Sequence, residues 1–104
     1  MFTLLKVQHF FESGTVDISA EIVVKNEDKD VLHAVMTSVF HNEYEKTLES
    51  GEMETVFNEY MVEDIQEDGV ETFLESMKKR DSLIIQRAII PGGIDTVTYV
   101  IVTE

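Results

Sequence analysis

The stretch DIQEDGVETFLE, beginning at Asp64, spaces side-chain oxygens as a divalent cation would use them. Asp64, Gln66, Asp68 and Glu75 take the first, third, fifth and twelfth positions of an EF-hand-like loop, and Gly69 takes the sixth, where glycine permits the sharp turn around Ca²⁺. The match is partial. The third position is ordinarily Asp or Asn, Glu71 stands at the eighth where an apolar residue is usual, and there is no second loop to pair with. In a run this dense in acids the letters align readily, and Gly69 as a junction between two helices explains them more simply. Neither a metal nor an organic cofactor is expected.

Catalytic groups fare no better. His9, His33 and His41 are candidate general bases, but no spacing ties them to a nucleophile or to a second ligand set. The absence of cysteine removes thiolate nucleophiles, disulfides and Cys-based metal sites. No G-x-S-x-G is present, and the PGG at 91–93 is too short for a phosphate loop and reads as a hairpin turn. Enzymatic activity is not expected.

What remains is charge. With 21 acids against 8 bases the net charge is −13, which repels nucleic acid and anionic lipid and attracts basic surfaces. Residues 49–76 hold ten carboxylates and no Lys or Arg. Read as helices, they place Glu59–Glu63, Glu63–Glu67 and Glu71–Glu75 four apart, each pair costing a few tenths of a kcal/mol that an interspersed Lys would remove. That uncorrected repulsion favours an acidic contact surface formed by Glu52, Glu59, Glu63, Glu67, Glu71 and Glu75, docking on a basic protein partner. Carboxylates spaced along helices imitate a phosphate backbone, and the composition resembles that of small phage or mobile-element inhibitors of nucleic-acid enzymes. The resemblance is one of composition alone. The alternative is a homo-oligomeric structural or assembly module, a homodimer joined through strand edges or through the apolar pair Phe10 and Phe11.

These residues need a scaffold, and the hydrophobic periodicity supplies one. In 15–25, Val16, Ile18, Ala20, Ile22 and Val24 alternate with polar residues, Val23 excepted, which predicts a half-buried strand. FTLLKVQHFFE before it reads as a partner strand with Leu5, Val7 and Phe11 on one face, turned back by ESG at 12–14. Beyond KNEDKD the period lengthens to that of a helix: Asp28 or Asp30 caps a segment near 29–41 with Val31, Leu32, Val35, Met36, Val39 and Phe40 inward. A second helix is predicted near 52–67, capped by Ser50 and carrying Met53, Val56, Phe57, Tyr60 and Met61, and a third near 70–80. Strands return near 82–90 and 94–103, joined through a type II turn at Pro91–Gly92. The similarity of VFHNEY at 39–44 to VFNEY at 56–60 is too short to signal a repeat.

The expected fold is thus a single α+β domain over residues 1–104: a four-stranded antiparallel sheet from an N-terminal and a C-terminal hairpin, with two or three helices on one face. A hydrophobic fraction of 43% supports a packed core. The N-terminus has neither the basic start nor the unbroken apolar run of a signal peptide, and no stretch is long enough to span a bilayer, so a cytoplasmic location is expected.

Overall fold

The computed structural model describes residues 1–12, 14–52, 54–89 and 93–103. Strands β1 (Phe2–Glu12) and β2 (Thr15–Asn26) precede helix α1 (Lys29–Ser50), followed by two short strands, β3 (Val56–Phe57) and β4 (Tyr60–Met61). Helices α2 (Val62–Asp68) and α3 (Val70–Arg80) come next, and strands β5 (Ser82–Ile89) and β6 (Gly93–Thr103) close the chain. The predicted α+β class, the two hairpins and three helices are present. The four-stranded sheet is not: six strands form one antiparallel sheet in the order β2-β1-β6-β5-β3-β4.

The extra strands arise where a helix was expected. At 56–61 the chain makes a tight hairpin, Val56 opposite Met61 and Phe57 opposite Tyr60, with Asn58 at φ 48° and Glu59 at φ 72° between them. Two successive left-handed residues are the signature of a two-residue hairpin turn and are incompatible with a right-handed helix. Asn58 accounts for the choice. Its Nδ2 donates to the Ser82 carbonyl at 2.9 Å, its Oδ1 accepts from the Ile84 N–H at 2.6 Å, and its own N–H donates to the Ile84 carbonyl at 2.9 Å. The turn is thereby fastened to β5, and the apolar spacing that imitates a helix belongs to a strand pair instead.

Upstream, α1 runs nine residues beyond the predicted end at 41. Leu32, Met36, Phe40, Tyr44 and Thr47 are buried at intervals of four and three, one stripe of a long helix. Asp28 caps its start by accepting from the Asp30 N–H at 2.9 Å, and Gly51 ends it at φ 76°, a left-handed conformation that glycine adopts without cost. Ser50 therefore closes α1 and opens no second helix. Its Oγ donates to the Thr47 carbonyl at 3.2 Å. Met53 and the Pro91–Gly92 turn lie outside the described residues.

One face of the sheet carries the core. Leu4 and Ile101 are register partners on neighbouring strands, as are Phe57 and Ile85, and all four are buried against Phe40, Ile65, Phe73 and Met77 of the three helices. Phe40 is the hub, stacking on Phe73 at 4.4 Å between ring centroids and meeting the edge of Phe57 at 5.3 Å.

Among the described residues, no helix covers the opposite face. A β-bulge shifts the β1–β2 register, so that Leu4 pairs with Val24 but Leu5 pairs with Ile22. Val24 thus points to the core, and the alternating set Val16, Ile18 and Ile22 points away from it, exposed by 54%, 66% and 57%. The expected burial of that set is corrected accordingly: the irregular Val23 marks the bulge that inverts the faces.

Candidate functional site

The structure divides the six candidate carboxylates into two groups. Glu63 and Glu67 lie on α2, and Glu71 and Glu75 on α3, all exposed and set away from Val62, Ile65, Phe73, Leu74 and Met77, which these helices bury. Among the described residues none of the four makes an ion pair. Glu52 and Glu59 are not helical. Glu52 sits in the turn after α1, 4.0 Å from Arg87 Nε, and Glu59 sits in the β3–β4 turn, 3.6 Å from Arg80 Nη2. The predicted Glu59–Glu63 repulsion across one helical turn therefore does not arise, while Glu63–Glu67 and Glu71–Glu75 do stand one turn apart.

Helix electrostatics explain part of this group. Glu63, Asp64 and Glu71 occupy first turns, where the partial positive charge of the helix favours acids, and Asp64 Oδ2 accepts from the Met61 N–H at 3.3 Å. For Glu67 and Asp68, α2 itself gives no such explanation, and only the start of α3 just beyond Gly69 offsets their position. They occupy the last turn of α2, which holds no basic residue, and the helix end disfavours them there. In α3 the acids give way to Lys78, Lys79 and Arg80, which suit the end of that helix.

The segment compared with a calcium loop is helix, Gly69 at φ 95°, then helix. Asp64 and Glu75 thus sit on two separate helices rather than along one encircling loop. Among the described residues no group of three or more His, Asp or Glu side chains is gathered around a common point.

Two polar clusters escape a reading of spacing alone, because each joins residues far apart in the chain. The first unites the start of α1 with the α3–β5 junction: His33 Nε2 lies 2.7 Å and Lys29 Nζ 2.5 Å from the two carboxylate oxygens of Asp81. Burial pushes the Asp81 carboxyl up, but the hydrogen bonds and charges of Lys29 and His33 outweigh it and hold the carboxyl below its usual range. A His–Asp pair can orient an imidazole for proton transfer, and this one also ties the start of α1 to the α3–β5 junction. The isolated Asp81 after the basic helix end was its one sequence signal, a polar residue suited to the left-handed cap it adopts at φ 52°.

The second cluster lines a shallow cleft of about 410 Å³ formed by Glu43, Lys46, Thr47, Ser50, Glu52 and Arg87. Arg87 Nη2 donates to Glu43 Oε2. Asp95, the register partner of Arg87 on β6, keeps one buried oxygen with no hydrogen-bond partner among the described residues. His9 and His41 are exposed and belong to neither cluster. Among the described residues, no helix is long and apolar enough to cross a membrane.

Compared with known proteins, the chain matches no family model, no curated protein and no solved structure.

Proposed function

We propose that this protein is a small binding protein without catalytic activity, whose α2–α3 helical surface docks through its carboxylates on a basic surface of a partner protein. The partner best suited is one that binds nucleic acid, because carboxylates repeated one helical turn apart offer its basic groove a series of negative charges in place of phosphates. One observation carries the reading: Glu67 and Asp68 remain at the unfavourable end of α2, without a compensating cation, in a stretch where Glu63, Glu71 and Glu75 are also exposed and unpaired among the described residues. Selection for a soluble helix alone would place Lys or Arg in that last turn. Glu52 and Glu59, held near Arg87 and Arg80, are peripheral to the proposed surface.

The test is capture from a host lysate by the immobilised chain, with heparin as the competing polyanion. Capture of a basic protein that heparin displaces and that is lost in the Glu67→Lys, Glu71→Lys, Glu75→Lys triple variant is expected. Reversal of Asp17 and Glu21, exposed on β2, should leave capture intact. Equal damage from the two sets of reversals would reduce the α2–α3 acids to a solvated surface.

A further inference from the structure

We propose that the open face of the sheet is the seat of a second copy of this chain, so that two copies stack sheet on sheet about a two-fold axis. The inference is independent of the acidic helices and uses the side of the molecule away from them. Val7, Ile18, Ile22, Ile84, Thr98 and Val100 occupy this face, linked by the register pairs Val7–Thr98, Leu5–Ile22, Leu5–Val100 and Ile84–Thr98. All three helices bury their apolar residues on the other side.

Size and charge select the occupant. The four long strands contain 11, 12, 8 and 11 residues. At about 3.4 Å per residue and about 4.8 Å between strands they give a footprint of roughly 700 Å², before side-chain relief is added. A stable complex buries roughly 600–1,000 Å² per partner, so the whole face, if covered, falls in the lower half of that range. In a chain with 21 acids, no described strand side chain on this face is acidic: Asp17, Glu21 and Asp95 all alternate to the helical side. Glu54 stands at the margin, beside Val56, Gln86 and Ile94.

Two chains of charge −13 repel each other, and contact through the helical side would set acid against acid. On the open face they meet without setting acid directly against acid, and only the longer-range repulsion remains. A basic partner drawn by the field of the molecule finds, among the described residues, only Glu54 at the margin to pair with. Two identical right-twisted antiparallel sheets, by contrast, stack with their strands about 30° apart, and the isologous contact closes on itself. Edge-to-edge joining is the poorer route, since the free edge strand β2 carries Asp17, Glu21, Lys25 and the bulge, features that blunt strand addition.

Sedimentation equilibrium of the intact chain should give twice the mass of 11.9 kDa. The Ile18→Glu, Ile22→Glu double variant should be monomeric with an unchanged circular dichroism spectrum, because both residues are exposed in the single chain. Ser19→Glu, on the same strand but the other face, should remain dimeric. Dilution of the wild type, which needs no substitution, should shift the NMR methyl signals of Ile18, Ile22 and Val100 and leave those of buried Leu32 and Leu83 in place. A wild type that stays monomeric into the millimolar range overturns the proposal. So does dissociation by Ser19→Glu with the double variant still dimeric, and so does a monomeric wild type that uses Ile18 and Ile22 to hold a different protein.

Discussion

Asp81 shows how much one side chain does at a junction. It ends α3 in a left-handed conformation, its carbonyl accepts from the Ile101 N–H at 2.9 Å, and its carboxylate gathers Lys29 and His33 from the start of α1. Because the folded state holds this carboxyl below its usual range, folding favours the ionised form. That contribution is complete above the unfolded carboxyl pKa of about 4 and fades as pH falls through the lower folded value. Asn keeps the tolerance for a left-handed backbone but loses the charge. Asp81→Asn should therefore lower stability at neutral pH by about 1 kcal/mol, the value of a partly exposed charge-assisted pair. The gap between variant and wild type should narrow in acid, as urea melts at neutral and acidic pH will show. A gap of the same size at both would mean that the charge of Asp81 is not what the fold uses.

At the scale of elements, the β3–β4 hairpin sets two residues of one turn to opposite tasks. Asn58 is buried and bonded to β5 through both ends of its amide, whereas Glu59 adopts φ 72° with its side chain 85% exposed. Asn58→Ala leaves the Ser82 carbonyl and the Ile84 N–H without partners and should cost about 2–4 kcal/mol. Glu59→Gly restores the Asn-Gly pair that such a turn prefers and should gain about 0.5–1 kcal/mol. Thermal or urea denaturation of the two variants measures both signs, and a stabilising Asn58→Ala would refute the role given to its amide. The same hairpin marks the limit of what was legible in the sequence. Strand alternation, the Asp28 cap and the apolar spacing of α3 are local signals, and they placed two hairpins and a helix correctly. Val56, Phe57, Tyr60 and Met61 also fit helical spacing, and what overrides it is a hydrogen-bond set to Ser82 and Ile84, more than twenty residues away in the chain. The inverted β2 face has a similar origin. One bulge residue, Val23, exchanges the sides of a strand whose pattern is otherwise regular. For the candidate surface, exposure of Glu63, Glu67, Glu71 and Glu75 was legible from helical spacing, but Glu52 and Glu59 stand outside any helix, which followed from the longer α1 and from the hairpin and was not legible.

Over the whole molecule, charge and apolar surface are sorted to opposite sides, and this makes the sign of a salt effect diagnostic. The α2–α3 acids and the uncharged strand residues around Ile18, Thr98 and Ile84 are separated by the core between helices and sheet. The least extent of the molecule, 19 Å, corresponds to one sheet and one helical layer, with screening lengths of about 10 Å at 0.1 M salt. Contact between a basic partner and the acidic helices gains from long-range attraction, so added salt should weaken it, chiefly by slowing association. Contact between two open sheet faces buries apolar area while two chains of charge −13 approach, so added salt should screen their repulsion and tighten the dimer. Sedimentation equilibrium in low and moderate sodium chloride should accordingly give a smaller dimer dissociation constant in the higher salt. In the same buffers the captured basic partner should elute more readily. A dimer that loosens with salt would mean that attraction between charges holds it together, and would move the interface from the open face to the acidic helices and the basic turn at Lys78–Arg80.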